Sequence, residues 1–189
     1  MILKGQKPKK NSGLNISIED IKKLREMTSV GVIECKKALE KAQGDFDKAK
    51  EILKKRGLEI AAKKAGRDVK DGRIEAYIHP GSKVGVLVEI NCETDFVARS
   101  ADYCVFTKDT ALHIAAMNPK YIKREDVPAD VLKQQRDPEV FIKETCLLEQ
   151  PFLKDQSQTI KDCLNALIAK VGENVIISRF CRYKVNEVD

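Results

Sequence analysis

At Gly66 the hydrophobic spacing of the chain changes, and that change limits the fold more than any other feature. Before it, from Ile16 onward, apolar residues recur every three or four positions, the spacing of amphipathic helices. After it, from Arg73, they recur at every second position, the spacing of strands with one buried face. A chain that carries both patterns in succession is expected to be α+β: a helical bundle first, then a sheet packed with helices.

The first stretch reads as three short helices. Ser17 is a good N-cap, with Glu19 and Asp20 in the first turn where the helix dipole favours anions. Ile16 and Ile21 have the spacing of a hydrophobic staple, and Ile21 and Leu24 face inward in a helix that ends near Thr28. A second helix follows Ser29, with Val32, Cys35, Leu39 and Ala42 on one stripe, and stops at Gly44. Asp45 caps a third helix through Lys55, apolar at Phe46, Ala49, Ile52 and Leu53, with Gly57 as the residue past its end. Residues 16–57 therefore form a three-helix domain, too small to be an enzyme by itself. Residues 58–72 are a helical connector interrupted at Gly66, and residues 1–15 a disordered basic tail.

In residues 73–189 the alternation Ile74, Ala76, Ile78 against Arg73, Glu75, Tyr77, His79 predicts a half-buried strand. Pro80-Gly81-Ser82 turns the chain, and Val84, Val86, Val88 and Ile90 form the facing strand of a hairpin. Helix is expected over about Phe96–Ala116, briefly around Ala129–Gln135, and again over Pro138–Leu148. Ser157 is read as the cap of a further helix with Ile160, Leu164, Leu167 and Val171 inward, closed by Gly172. Val175 to Val185 alternates as a third strand. The result is a three-stranded antiparallel sheet with helices packed on it.

The 189 residues carry 35 Lys and Arg against 29 Asp and Glu, a net charge of +6. Lys4, Lys7, Lys9 and Lys10 supply four of those charges, so residues 14–189 are near balance at +2. A nucleic-acid binder is expected to concentrate basic charge on its folded part, so nucleic acid is disfavoured as a partner. The longest apolar run, near Val84–Val88, is far too short for a membrane helix, and the basic N-terminus has no apolar signal region. A soluble, cytoplasmic protein is expected, or one in an equivalent organelle compartment. Cysteines 35, 92, 104, 146, 163 and 181 form no Cys-x-x-Cys pair, so they read as buried free thiols rather than metal ligands or disulfides. No phosphate-binding loop, dinucleotide turn, nucleophile elbow or zinc-protease pair occurs. The expectation is a non-enzyme with no metal and no cofactor.

One segment, Cys92-Glu93-Thr94-Asp95-Phe96-Val97-Ala98-Arg99, leaves the hairpin for a helix. By composition it is a helix cap followed by a sheet–helix corner. It also resembles the Thr-Asp-Phe-Val-Ala signature of the bacterial-type elongation factor Ts family. Leu24-Arg25-Glu26 through Cys35-Lys36-Lys37-Ala38-Leu39 resembles that family's N-terminal helical domain, itself similar to a ubiquitin-associated (UBA) fold. His113-Ile114-Ala115-Ala116-Met117-Asn118-Pro119 and Leu147-Leu148-Glu149-Gln150-Pro151-Phe152 resemble two further family motifs. The four segments stand in the family's order.

The resemblance implies a guanine-nucleotide exchange factor that binds elongation factor Tu, both GDP-bound and nucleotide-free. It places Arg25, Val32 and Ile33 at partner contacts of the helical domain, where family members often have Met-Met for Val32-Ile33. It places Thr94, Asp95, Phe96 and Val97 in the motif that intrudes near the partner's Mg²⁺ and phosphate site. His113, which by itself reads as a structural or surface histidine, becomes a further contact candidate. The implied mechanism is an anchor from the helical domain while Phe96 wedges into the partner. Longer family members have two α/β lobes and a helical hairpin, whereas this chain has length for one lobe. A single sheet leaves an apolar face or strand edge to cover, so homodimerisation is expected. The alternatives are a ribosome- or RNA-associated binding protein, or a chain that binds elongation factor Tu without exchanging its nucleotide.

Overall fold

The structure is a computed structural model that describes residues 16–28 and 30–187; the basic tail and Ser29 lie outside the described residues. Helices α1 (Ile18–Thr28), α2 (Val32–Lys41) and α3 (Phe46–Lys64) come first. Then follow strands β1 (Asp71–Ile78) and β2 (Val84–Cys92), and helices α4 (Asp95–Ala98), α5 (Ala101–Met117), α6 (Ala129–Lys133) and α7 (Pro138–Thr145). The chain closes with β3 (Pro151–Phe152), β4 (Asp155–Thr159), α8 (Ile160–Val171) and β5 (Val175–Lys184). Two compact units divide inside α3, one ending at Leu53 and the other beginning at Lys54.

The first unit has its own core of Ile21, Leu24, Cys35, Ala38, Leu39, Ala42, Ala49 and Leu53. Its helix ends follow local chemistry. The Ser17 hydroxyl accepts the Asp20 amide at 3.0 Å, and the Asp45 carboxylate accepts the Asp47 and Lys48 amides at 3.0 and 3.1 Å. At the end of α2 the Gly44 amide reaches the Leu39 carbonyl at 2.9 Å, and Gln43 at φ 54 and Gly44 at φ 83 are both left-handed, so the chain turns out of the helix at the expected stop. Val32 departs from its expected place on the inward stripe and is half exposed. It opens α2, and a helical side chain leans toward the N-terminus, where at the first position no preceding turn waits to receive it.

The second unit is built on a three-stranded antiparallel sheet of order β1-β2-β5. Helix α5 lies across β1 and β2, and α8 packs against β5. Beneath them Val86, Val88, Ile90 and Cys92 of β2 meet Val175 and Ile177 of β5, Ile114 of α5, and Ile160 and Leu164 of α8 in one core. Between Glu89 and Ile90 the β2–β5 register skips Ser178, a bulge that moves the inward side of β5 from Val175 and Ile177 to Phe180 and Arg182.

Several expected boundaries are corrected. Residues 58–64 continue α3 through Gly57, because the helix then buries Ala61 in the sheet core. Ser100 accepts the Tyr103 amide at 3.4 Å and caps α5, so the helix expected over Phe96–Ala116 is two helices. Cys146, with extended backbone, ends α7 ahead of a 3₁₀ turn at Leu147–Glu149. Ser157 lies in β4; the cap of α8 is Thr159, which exchanges 3.1 Å bonds with Asp162 in a capping box. The strand pair β3–β4 was not expected at all. Most consequentially, Ile74, Ala76 and Ile78 of β1 point away from the helices, and Arg73, Glu75 and Tyr77 point under them. Arg73 pairs with Glu75 at 2.9 Å and donates to Cys104 Sγ of α5 at 3.2 Å, and Thr107 donates to Glu75 at 3.3 Å. Polar partners on α5 thus hold a polar edge under the helix layer. Of the cysteines, Cys35, Cys92 and Cys146 are buried, whereas Cys181 is exposed on the bare side of the sheet.

A Cβ on Gly57 would meet the Asn165 carbonyl at 3.9 Å and Ala169 Cβ at 4.0 Å, ordinary contact distances. Gly57→Ala is therefore expected to stabilise the protein by about 0.5–1 kcal/mol, the helix-interior difference between the two residues. Chemical denaturation measures it; a loss of stability would mean that α3 does not run through this position.

Candidate functional site

β2 and β5 pair as far as Cys92 and Val175. Beyond that pair two carboxylates take over from backbone carbonyls, one in each direction. The Asn174 amide donates to Glu93 at 2.6 Å, and the Thr94 amide donates to Glu173 at 3.1 Å. The Thr94 hydroxyl donates to the other oxygen of Glu173 at 2.7 Å and accepts the Val97 amide at 3.4 Å, which makes it the N-cap of α4. Arg67 reaches Glu93 at 3.4 Å, and the Asn174 side chain donates to the Arg67 carbonyl at 2.8 Å. The Asn174 amide, supported by the Arg67 charge, holds the Glu93 carboxyl below the usual carboxylate range. Cys92, buried below the turn, donates its thiol to the Thr94 carbonyl at 3.1 Å, and burial pushes that thiol up, away from the thiolate.

On this base α4 divides its side chains sharply. Val97 and Ala98 are buried in the sheet core, while Phe96 is 80% exposed. Successive helical residues point about 100° apart, so one turn suffices to bury one neighbour and expose the other. Asp95 also faces solvent and pairs with Arg99 one turn on. The tip offers no nucleophile and no ligand set; among the described residues no group of three or more His, Cys, Asp or Glu is placed to hold a metal ion. It offers an aromatic ring and a carboxylate on a fixed turn.

His113 is fully buried rather than presented on the surface of this fold. Its Nε2 donates to Gln150 Oε1 at 3.0 Å, and its Nδ1 accepts the Leu153 amide at 3.2 Å. Gln150, buried beside it, donates to the Glu144 carbonyl at 2.6 Å and the Met117 carbonyl at 3.4 Å. The segments His113–Pro119 and Leu147–Phe152 are thus two halves of one latch that joins α5, the end of α7 and the β3–β4 strand pair. Burial depresses the His113 pKa, against a smaller upward pull from Gln150, and keeps the ring neutral. Val97 likewise serves from inside, as the root of the tip.

Arg25, Val32 and Ile33 all lie on the surface of the first unit, Ile33 at 69% exposure. Ile18 and Met27 of α1 are exposed with them. The structure thus presents Thr94, Asp95 and Phe96 together on one unit, and Arg25, Val32 and Ile33 on the other. Glu173, Glu93 and Asn174 were missed. A signal for them existed: Gly172 marks the end of α8 and Val175 the start of a strand, so a partner ending at Cys92 sets residues 93–94 beside 173–174.

No described helix is long and apolar enough to cross a membrane. The family model described as Elongation factor TS matches residues 15–140. Elongation factor Ts of Carboxydothermus hydrogenoformans is 47% identical, over 91% of this chain and 90% of its own length. Elongation factor Ts of Caldanaerobacter subterraneus subsp. tengcongensis is 46% identical over 91% of this chain and 98% of its own, and that of Fervidobacterium nodosum 46% identical over 92% and 100%.

The depressed His113 pKa gives a sign. The unfolded chain takes up a proton as the pH falls through 6.5 and the folded chain does not, so stability declines from there toward the lower folded pKa. The slope is bounded by about 1.4 kcal/mol per pH unit. In His113→Asn, which keeps an acceptor near Leu153 but does not titrate, melting temperature is expected to be nearly flat between about pH 7 and 5.5. Equal slopes in both proteins would show that His113 is not held neutral.

Proposed function

The chain belongs to the elongation factor Ts family, the guanine-nucleotide exchange factors of elongation factor Tu, and we propose that it promotes GDP release with Phe96 as its wedge. The observation that carries this reading is a large aromatic side chain left 80% exposed on a turn held by Thr94 before it and by buried Val97 after it. A GTPase holds GDP through phosphate contacts and a bridging Mg²⁺. Phe96 enters beside that site and separates the groups that make those contacts, and Asp95 places negative charge where the phosphates lie. Arg25, Val32 and Ile33 anchor the partner from the first unit. Val97 and His113 carry no contact and support the tip and its unit from within. No covalent chemistry is required. Each tenfold weakening of GDP takes about 1.4 kcal/mol, so a few-hundred-fold effect takes about 3–4 kcal/mol. One aromatic with its supporting contacts is of that size.

The same unit supports a homodimer. The side of the sheet away from α5 and α8 carries Ile74 and Ile78 of β1, Leu87 of β2, and Ile176 and Tyr183 of β5, all exposed. Across the sheet Ala76, Leu87 and Cys181 form one row, and Ile78, Gly85 and Tyr183 the next. The charges on this side, Glu89 and Arg179, are paired to each other at 2.6 Å, so a second copy of the same face meets apolar surface with its charges already matched. Two such faces stack as an isologous sandwich.

Two measurements follow. Phe96→Ala is expected to cost less than about 1 kcal/mol of stability, against roughly 3–5 for a buried aromatic, and to slow GDP release tenfold or more at saturating factor. Arg25→Ala should instead raise the concentration needed for half-maximal release. Stopped-flow release of a fluorescent GDP analogue decides; a folded Phe96→Ala that releases GDP at the unmutated rate ends the wedge assignment, and a wild type that binds without accelerating release is a binder alone. Light scattering in the micromolar range is expected to report a dimer that Leu87→Lys converts to monomer. A wild type monomeric throughout that range rules the sandwich out.

A further inference from the structure

Glu173 stands outside every motif that carries the family resemblance, yet it takes both protons that Thr94 can donate. The amide goes to one carboxylate oxygen at 3.1 Å and the hydroxyl to the other at 2.7 Å. With its proton committed to Glu173, the Thr94 oxygen turns a lone pair toward the Val97 amide, the bond that caps α4. Helix α4 has four residues, too few to hold its own geometry. Its orientation rests on two supports: Val97 and Ala98 buried at one end, and Thr94 bound at the other. Glu173 itself is fixed from behind, because Gly172 at φ 75 ends α8 and the next amide, that of Asn174, is bound to Glu93 at 2.6 Å.

We propose that Glu173 is a positioning residue for exchange: it holds Thr94 so that Phe96 and Asp95 meet the partner in a single orientation. The inference rests on the exchange reading above. Without Glu173 the root of the tip stays buried and Cys92 still donates to the Thr94 carbonyl, but the Thr94 amide and hydroxyl lose their shared partner and the leading end gains freedom to rock about Val97. A rocking ring still docks, since the first unit's surface is untouched, but it spends part of each encounter outside the wedging orientation. The loss falls on the maximal rate rather than on the affinity.

The experiment uses the full chain. Glu173→Ala is expected to lower maximal GDP release at saturating factor about five-fold or more, with the half-saturating concentration changed less than about two-fold. Glu173→Gln, which keeps one acceptor oxygen, falls between Ala and wild type. Amide hydrogen exchange of residues 94–98 in the free protein rises in Glu173→Ala while the rest of the sheet keeps its protection. Because Thr94→Val removes the α4 cap as well as the Glu173 contact, the double variant is expected to fall below Glu173→Ala but by less than the product of the two single losses, the shared part being the Thr94–Glu173 contact. A wild type that drives release beside a Glu173→Ala that matches it overturns this inference and leaves the exchange reading standing. So does a variant that loses affinity, melting temperature and rate together, which marks ordinary fold support. A wild type that drives no release overturns both.

Discussion

The second unit hangs on β2, the central strand of its sheet. Val86, Val88, Ile90 and Cys92 lie on one face of that strand, all buried beneath α5 and α8. Burying each aliphatic side chain of that kind stabilises the fold by about 1.5–3 kcal/mol. Because strand side chains alternate, a shift of register by one residue would expose the whole set, so the pairing with β1 and β5 is fixed. The position of the tip follows. Once Cys92 is committed to Val175, the chain leaves the sheet at Glu93 and Thr94, opposite the residues that leave α8 for β5. Their carboxylates and amides are then near enough to bind one another. A single apolar register therefore determines both the core and the place where an aromatic ring is presented.

The readable parts of this fold were those whose determinants are local. Ser17 and Asp45 cap helices because a short polar side chain next to free amides is enough. The strand periods located β1, β2 and β5 for the same reason. Gly57 misled because its local cost is only about 1 kcal/mol, and the burial of Ala61 one turn later offsets it. Thr159 was legible in principle, since Asp162 three residues on completes a capping box, but the earlier polar residue Ser157 drew the assignment. The face of β1 was not legible. Apolar alternation says that one side is buried without saying that Arg73 and Glu75 find each other, Cys104 and Thr107 beneath a helix. The bulge at Ser178, which shifts the inward side of β5 halfway along, is equally invisible to a strict period of two.

The site divides along the same line. Thr94 as a cap follows from its place before a helix, and Phe96 stands out only through the motif it belongs to, since composition alone would bury it. Val97 and His113 belong to the same motifs and lie inside. A motif marks residues that the function constrains, and a side chain that props a contact is constrained as firmly as one that makes it. His113 illustrates this: its two ring nitrogens bind two separate segments, so another side chain there loosens the packing of the unit.

The rigidity of the tip bears on how binding energy becomes nucleotide release. An exchange factor can weaken GDP only by the difference between its contacts to the nucleotide-free partner and those to the GDP-bound one. A ring carried on a mobile loop would lose part of that difference to ordering the loop in every complex, on the order of 0.5–1.5 kcal/mol for each immobilised side chain. Here the ordering is done when the chain folds. Val97 and Ala98 are already buried, Thr94 is already bound, and the exposed ring of Phe96 has two side-chain torsions left to fix. Exposing that ring sacrifices some folding energy, which the sheet and its helices supply elsewhere. On the proposed wedge reading, the contact free energy of Phe96 is then free to act on the partner's nucleotide site, where each further 1.4 kcal/mol is about a factor of ten in GDP affinity.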